Sequence, residues 1–299
     1  MANIDRVIVF CSPNDIKSTE LCVSSIRYWN KTIPLFLHKD ESHGNFDTSS
    51  IERDFNVELC NSSASSIGNP LSKLFYIIEG ADLKPEGERI LILDSDVMIF
   101  GDLITELEKY SNDLVVSGVE GPPKSFTERK YFQIQYFHDY TKCQLEPSLV
   151  FNTGHILLNT QIFTKEEFTP HLVQEGQTIR PQEGIKLWDQ GVINLVINQR
   201  LLNSSIDILN IPNFLWSKGP KDFANQKNNP FLIHWAGTNH PIEERLEHWN
   251  EAKKYRQYFL QRAGQSRLQY KIYRIKKITT YYLRQLRLLL LGKRKFMRL

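Results

Sequence analysis

The dominant pattern along the chain is a succession of short apolar runs, separated by segments whose apolar residues recur with a helical period. Continuous apolar runs predict buried strands at residues 6–11, 33–38, 89–94, 114–118, 151–159 and 231–235. Helical spacing predicts helices at residues 18–30, 70–82, 102–110 and 189–199. Because strands that alternate with helices form parallel sheets covered on both faces, the pattern predicts an α/β fold.

The composition is that of an ordinary globular protein, with 41% hydrophobic and 24% charged residues in a chain of 299. Its net charge of +3 conceals a strong asymmetry. Residues 264–299 hold eleven of the 37 Lys and Arg residues and none of the 34 Asp and Glu residues, which leaves a net charge of −8 on the body. An acidic body joined to a basic tail predicts that the tail contacts an anionic surface, and the body is not expected to bind nucleic acid.

The four cysteines, Cys11, Cys22, Cys60 and Cys143, are scattered without metal-type spacing, which predicts free thiols in a reducing compartment. The N-terminal apolar run is too short for a signal-peptide core, and no apolar segment approaches the roughly 20 residues that cross a bilayer. We therefore expect a cytoplasmic protein.

The basic tail has the pattern of an amphipathic helix that lies on a membrane surface. Its apolar face would consist of Leu268, Ile272, Ile275, Thr279, Tyr282, Leu286 and Leu289, with Lys and Arg on the flanks. Each basic residue near an anionic leaflet contributes about 1 kcal/mol, so residues 265–299 are expected to hold the protein on the cytosolic face of a membrane. A solvated helix packed on the body and a nucleic-acid-binding arm are the alternatives.

Two carboxylates, Asp94 and Asp96, end the apolar run that begins at Arg89. In open α/β sheets, ligands bind beyond the carboxyl ends of the strands. Carboxylates this close repel each other unless a positive charge lies between them, and a hard divalent cation with oxygen ligands is the simplest candidate. We therefore predict a divalent cation that could in turn hold a diphosphate, with a solvated turn as the alternative.

Five segments, in this order, resemble the retaining glycosyltransferases of family 8, which include glycogenin and bacterial lipopolysaccharide galactosyltransferases. The segments are Leu71-Ser72-Lys73-Leu74, Leu93-Asp94-Ser95-Asp96-Val97, the run from Phe151 to Asn159, Trp188-Asp189-Gln190 and His234-Trp235-Ala236-Gly237. The resemblance implies a GT-A fold, a Rossmann-like and mostly parallel central sheet flanked by helices. It also implies a nucleotide-sugar donor, usually a UDP-sugar, and Mn²⁺ held by Asp94, Asp96 and His234. An imidazole beside two carboxylates favours Mn²⁺, although Mg²⁺ is an alternative.

The resemblance further implies catalytic positions. It places Asp189 and Gln190 beneath the sugar ring and Asn152 beside it. Retention requires the acceptor to arrive on the face that the phosphate leaves, through a covalent intermediate or an ion pair. Because an amide such as Gln190 is a poor nucleophile, we expect front-face attack with the departing phosphate oxygen as base. A simple helix cap is the alternative for Asp189.

The donor is expected to contact the loop after the first strand, where Ser12, Asn14 and Asp15 would receive the nucleobase and ribose. The complete set of expected donor-binding residues is Ser12, Asn14, Asp15, Lys73, Asp94, Ser95, Gly237 and His240. The chain departs from the family pattern at two of these positions, since Lys73 replaces an arginine and His240 replaces a lysine. Lys218 is the alternative cation for the diphosphate.

These features together predict a metal-dependent retaining glycosyltransferase that acts at a membrane surface on a glycan or lipid-linked acceptor. We expect residues 1–250 to form the GT-A domain and residues 251–299 a helical, basic extension. The aromatic residues between 131 and 140, with Trp188 and Trp216, are candidates for either acceptor binding or core packing. The alternative functions are a phosphohydrolase with an Asp-x-Asp nucleophile and a non-catalytic carbohydrate- or membrane-binding protein.

Overall fold

The structure is a computed structural model that describes the greater part of the chain. The described residues are 3–40, 45–61, 71–80, 83–116, 151–175, 178–185, 188–203, 205–211, 214–216, 229–235 and 249–262, with residues 272, 275, 279, 282, 283, 286 and 287. The strands are β1 (Arg6–Cys11), β2 (Leu35–Lys39), β3 (Glu58–Leu59), β4 (Arg89–Asp94), β5 (Val97–Phe100), β6 (Leu114–Val116), β7 (His155–Asn159), β8 (Leu172–Glu175), β9 (Thr178–Pro181), β10 (Ile208–Asn210), β11 (Phe214–Trp216) and β12 (Phe231–His234). The α-helices are α1 (Ile16–Trp29), α2 (Ser49–Phe55), α3 (Ser72–Glu79), α4 (Leu103–Leu107), α5 (Lys165–Phe168), α6 (Trp188–Leu202) and α7 (Trp249–Arg262).

The central sheet has seven strands in the order β10-β6-β7-β4-β1-β2-β3. β7 runs antiparallel to both of its neighbours, whereas the other neighbouring strands in this sheet are parallel. Helices cover both faces. The predicted α/β fold with a mostly parallel central sheet is therefore confirmed.

The middle strands of this sheet are buried on both faces, as their continuous apolar runs predict. On β4, Leu91 and Leu93 pack with α1, α2, α4 and α7 on one face. Ile90 and Ile92 pack with α3, α5 and α6 on the other face. All four side chains are fully buried. Because successive residues of a strand point to opposite sides, their burial shows that both faces of β4 are covered. The central sheet is thus the middle layer of a three-layer sandwich, with an apolar core on each of its faces.

A smaller sheet of order β11-β12-β5 adjoins the carboxyl end of β4. The chain passes from β4 through the turn at residues 95 and 96 directly into β5, and β12 pairs antiparallel with β5. The sequence analysis did not predict β5, although Val97 to Phe100 are apolar and follow the carboxylates directly. The two sheets therefore meet at the two carboxylates.

Some short elements fall where the sequence shows mainly polar residues. Helix α2 and strand β3 lie in the Ser- and Asn-rich segment that follows β2. Of the α2 side chains, Ile51 and Phe55 are buried, which is too weak a periodic signal to predict a helix. The hairpin of β8 and β9 was likewise not predicted. Cys11, Cys22 and Cys60 are free thiols, as expected.

Helix α7 packs on α1 at the back of the sheet. Arg256 forms a buried ion pair with Glu20, and the indole N–H of Trp29 donates a hydrogen bond to the Tyr255 hydroxyl at 2.9 Å. The expected domain boundary at residue 250 lies within this packed helix, and the extent of a separate tail stays a prediction.

Beyond α7, the tail residues that the structure describes are helical and exposed. Five of them are large hydrophobic residues: Ile272, Ile275, Tyr282, Leu283 and Leu286. Within the described residues, no helix combines the length and the hydrophobicity needed to cross a membrane.

Candidate active site

The carboxyl ends of β1 and β4 border a cleft at the edge of the central sheet. The two strands are parallel neighbours with Phe10 opposite Asp94, so the loop after β1 lies beside the carboxylates after β4. The cleft has a volume of about 280 Å³ and is lined by Phe10, Cys11, Ser12, Asp15, Asp40, Ser72, Lys73, Asp94, Ser95, Asp96 and Asp189. This is the place where open α/β sheets bind ligands.

His234 reaches the same place from β12, the middle strand of the small sheet. β12 pairs with β5 so that His234 lies opposite Val97, and the main-chain N–H of Trp235 donates to the Asp96 carbonyl at 3.1 Å. The His234 Nε2 atom lies 3.0 Å from Asp96 Oδ1 and 3.6 Å from Asp94 Oδ2. The imidazole is buried, whereas both carboxylates are partly open to the cleft.

These three side chains form a candidate metal site. One possible ligand atom from each of Asp94, Asp96 and His234 lies within 4.8 Å of the others. Gly154, immediately before β7, makes room for them: a Cβ atom there would overlap His234 and the Asp94 carboxylate, standing 2.8 Å from His234 Nδ1. Two carboxylates and one imidazole are a donor set that fits a divalent cation, and the imidazole suits a transition metal.

Lys73, on α3, is a fixed positive charge behind this site. Its Nζ atom donates to Asp94 Oδ1 at 2.6 Å and to the Thr153 carbonyl at 3.2 Å, and it lies 3.7 Å from Asp189 Oδ2. Burial opposes the charge of Lys73, but Asp94 and Asp189 outweigh burial and raise the pKa of the ammonium group. Burial also opposes ionisation of Asp94, yet Lys73 and His234 hold the pKa of that carboxyl below its usual value.

Asp189 lies in the first turn of α6 and lines the cleft on the far side of Lys73. Burial raises the pKa of Asp189 to about 6; Lys73 opposes this shift and Asp94 adds to it. Its Oδ1 atom accepts a hydrogen bond from the Gln190 main-chain N–H at 2.8 Å. The preceding residue, Trp188, has a left-handed φ of 45° and is 44% exposed, so it is not a core residue.

Gln190 and Asn152 hold the turn that leads into β7. Gln190 Oε1 accepts the main-chain N–H of Thr153 at 3.0 Å, and Asn152 Oδ1 accepts that of Gly154 at 2.7 Å. Both amide oxygens are therefore engaged with the main chain of the turn that supports the candidate metal site.

The loop after β1 contributes Ser12 and Asp15 to the cleft. The Ser12 hydroxyl donates to the Asp15 carboxylate. Burial raises the pKa of Asp15, and the hydrogen bond from Ser12 opposes that shift. Asn14 lies in the same loop and is exposed. Gly237, His240 and Lys218 lie outside the described residues, as does the aromatic segment 131–140.

The sequence analysis missed three polar residues of this region: Asp40, Asn194 and His155, the first residue of β7. Asp40 lines the cleft and is 5% exposed. It directly follows β2, and the strand-end argument that identified Asp94 would have found it as well. The Asn194 side chain, on α6, accepts the main-chain N–H of Phe151 and donates to the Phe151 carbonyl, both at 2.9 Å. Nothing in the sequence of the helix predicts this contact.

Comparison with known proteins identifies the class to which this fold and cleft belong. Residues 22–242 match the family model described as "Glycosyl transferase family 8". The match covers most of the chain, and the protein is therefore a glycosyltransferase. It belongs to glycosyltransferase family 8, which excludes the phosphohydrolase and the non-catalytic binding protein considered above.

Several solved structures share the fold at low sequence identity. The bifunctional glycosyltransferase WbbM is 15% identical with a TM-score of 0.57, covering 91% of this chain and 52% of that one. The galactosyltransferase LgtC, solved with donor and acceptor sugar analogues, is 12% identical with a TM-score of 0.54, covering 85% of this chain and 95% of that one. GlyE from Streptococcus pneumoniae TIGR4 is 16% identical with a TM-score of 0.50, covering 86% and 61%. The chain thus spans about half the length of WbbM, and no curated protein sequence matches it.

Proposed function

We propose that this glycosyltransferase moves a hexose from a UDP-sugar to a glycan or lipid-linked acceptor, with retention at the anomeric carbon and with a divalent cation, Mn²⁺ in preference to Mg²⁺. The observation that carries the proposal is the convergence of Asp94, Asp96 and His234 within 4.8 Å at the wall of the cleft. LgtC, which shares the fold, was solved with donor and acceptor sugar analogues, and this supports a sugar donor and a sugar acceptor.

The charge of the cleft explains why a diphosphate would need a cation there. Among the described residues, its lining includes five carboxylates, from Asp15, Asp40, Asp94, Asp96 and Asp189, and the ammonium group of Lys73. Lys73 is already engaged by Asp94 and Asp189, so its charge is largely neutralised before any donor binds. Asp94, Asp96 and His234 would hold the cation, which when bound supplies Lewis-acid stabilisation of the leaving diphosphate.

The remaining donor contacts follow from the position of the loop after β1. Ser12 and Asp15 line the end of the cleft next to β1, where we propose that the nucleoside binds, with Asn14 at the loop surface. Ser95, between the two carboxylates, also lines the cleft and is proposed to contact the donor. Gly237 and His240 stay predicted donor contacts.

Retention is proposed to proceed by front-face attack. The acceptor hydroxyl oxygen bonds to the anomeric carbon, the bond from that carbon to the phosphate oxygen breaks, and the hydroxyl proton passes to the departing diphosphate. Gln190 is unsuited to act as a nucleophile, because its amide oxygen already accepts the Thr153 N–H. Gln190 and Asn152 would instead hold the turn beside the sugar, while the carboxylate of Asp189 stabilises positive charge that develops on the ring.

A screen of nucleotide sugars tests this function. We expect Mn²⁺-dependent hydrolysis of a UDP-hexose, lost on chelation and reduced more than about 100-fold in Asp96→Ala, since removing a ligand exceeds the usual effect of an outer contact. Glu58→Ala, which removes an exposed carboxylate on β3, is the matched control and should retain full activity. Turnover that survives both chelation and Asp96→Ala would overturn the metal site, and a product of inverted anomeric configuration would overturn retention.

The acceptor is proposed to lie at an anionic membrane surface, to which the basic tail attaches the enzyme. The described tail residues Ile272, Ile275, Tyr282 and Leu286 are helical and exposed, at spacings that put them on one face of a helix. The lysines and arginines of residues 265–299 flank that face in the sequence. An exposed apolar face with basic flanks supports docking on lipid rather than packing on the body.

A further inference from the structure

A second histidine lies behind the proposed metal ligand. His155, the first residue of β7, is fully buried, and it sits opposite Leu93 in the pairing of β7 with β4. Its ring is nearly perpendicular to that of His234, at 81°, and the two Nδ1 atoms are 3.2 Å apart. The His234 Nε2 atom faces Asp96 and Asp94, so the two nitrogens of His234 point to different partners.

A hydrogen bond between two Nδ1 atoms requires one proton between them. Both imidazoles are buried, and a neutral imidazole carries one ring proton. If Nε2 of His234 binds a cation, the remaining proton of that ring must be on Nδ1. Nδ1 of His155 must then be the acceptor.

We propose that His155 is a positioning residue whose Nδ1 accepts the Nδ1–H of His234, and so fixes the ring orientation and tautomer in which His234 Nε2 can bind a cation. The proposal rests on the proposed function, because it assigns His234 as a ligand. Metal-bound histidines generally donate their other N–H to an outer partner, and such partners sustain metal affinity. His155→Leu would leave the His234 N–H buried without its acceptor.

The same geometry gives a different proton arrangement when no cation is bound. The His234 Nε2–H can then donate to Asp96 Oδ1 at 3.0 Å, while the His155 Nδ1–H donates to His234 Nδ1. With a cation on His234 Nε2, the proton between the rings would be on His234 Nδ1, and the ring proton of His155 would be on Nε2, a buried atom without a hydrogen-bond partner among the described residues. The pair as a whole neither gains nor loses a proton.

The first measurement follows the tautomers directly. Long-range ¹H–¹⁵N correlation spectra of ¹⁵N-labelled enzyme should show His155 as the Nδ1–H tautomer without metal. With Zn²⁺, a diamagnetic substitute for Mn²⁺, the spectra should show His155 as the Nε2–H tautomer and His234 as the Nδ1–H tautomer. An unchanged tautomer of His155 in the zinc-bound enzyme would overturn the proposal.

The second measurement is Mn²⁺ affinity, from the free-ion EPR signal. His155→Leu should weaken binding about 10-fold or more, whereas His155→Asn, whose side-chain oxygen can take the place of Nδ1, should bind within about 3-fold of the wild type. Equal affinity in wild type and His155→Leu would overturn the proposal. If His155→Leu fails to fold, His155→Gln replaces it, since the longer side chain moves its oxygen away from that place.

If the enzyme has no metal site at Asp94, Asp96 and His234, the measurements give a different result from failure of the positioning role alone. In that case Asp96→Asn and wild type bind Mn²⁺ equally, while the metal-free spectra still report whether His155 and His234 share a proton. A hydrogen-bonded pair in an enzyme without a metal site would refute the positioning role as well as the metal assignment.

Discussion

Gly154 and His234 are packed so closely that no side chain fits between them, because a Cβ atom on residue 154 would overlap the imidazole ring. The Gly154 carbonyl also accepts the main-chain N–H of Asp94 at 2.7 Å. One glycine therefore fixes the distance between β4, which carries the first carboxylate, and β12, which carries the histidine.

The substitution Gly154→Ala should displace His234 from the carboxylates. We expect a loss of stability of about 1 to 3 kcal/mol from overpacking, together with a loss of Mn²⁺ affinity of at least 10-fold, measured by urea unfolding and by EPR. Ile156→Val, on the strand that follows Gly154, should cost about 1 kcal/mol without changing the affinity. Equal Mn²⁺ affinity in Gly154→Ala and wild type would show that the glycine does not shape the site.

Replacing Lys73 should destabilise the enzyme because it leaves Asp94 and Asp189 without their common positive partner. For Lys73→Met we expect a loss of about 3 kcal/mol in the free energy of unfolding at neutral pH, and saturating Mn²⁺ should restore part of it by binding the folded state. The matched control is Lys84→Met, because Lys84 is exposed and pairs with Asp5 at 3.3 Å; its loss should stay below about 1 kcal/mol. Similar losses in the two variants would contradict the buried role of Lys73.

Asp189 should give the metal-free enzyme a component of stability that falls as pH rises. Burial raises its pKa to about 6 from the ordinary value of 3.8, so between these two values the folded state keeps a proton that the unfolded state releases. Ionisation therefore favours unfolding as the pH rises through this window. Asp189→Asn cannot ionise and lacks this component.

Urea unfolding of both proteins from pH 4 to pH 7 measures the difference. The free energy of unfolding of Asp189→Asn should rise relative to that of the wild type by up to about 3 kcal/mol across that range. Asp47→Asn, at an exposed position, should not show such a gain. A difference that stays constant, or moves towards the wild type, would mean that Asp189 ionises normally in the folded enzyme.

The tail should lose its membrane affinity when its exposed apolar residues become polar. In the full-length chain, replacing Ile275, Leu283 and Leu286 together by Ser should reduce sedimentation with phosphatidylserine vesicles more than about 10-fold, because each buried CH₂ contributes roughly 0.8 kcal/mol. Hydrolysis of the donor in solution should not change. Replacing Leu59, an exposed apolar residue of β3, by Ser is the control. Undiminished sedimentation of the triple variant would show that the apolar face is not the membrane contact.

The sequence predicted the elements that depend on a pattern of consecutive residues. β1 and β4 each have six residues, in which an arginine is followed by apolar residues up to the edge of the sheet, and this pattern identified both strands and the carboxylate at Asp94. His234 was identified through family resemblance, and its approach to Asp96 depends on the antiparallel pairing of β12 with β5. Such pairing joins residues more than a hundred positions apart, and neither strand encodes it alone.

The positions that were missed depend on tertiary contacts. His155 looks like one more residue of a buried strand until β7 is placed antiparallel to β4 and beside β12. Asn194 lies on the buried side of a helix whose apolar residues dominate the pattern. Asp40 is different, since its place after β2 could have been recognised from the sequence.

The turn at residues 95 and 96 is where the chain passes from the central sheet to the small sheet, and His234 ends the middle strand of the small sheet. A ligand that engages Asp94, Asp96 and His234 together therefore joins two separately hydrogen-bonded layers. Detachment of the small sheet and release of the ligand then become one coupled equilibrium, because a molecule with its layers apart has no complete site. Such a ligand would therefore add to the stability of the contact between the two sheets as its concentration rises above its dissociation constant.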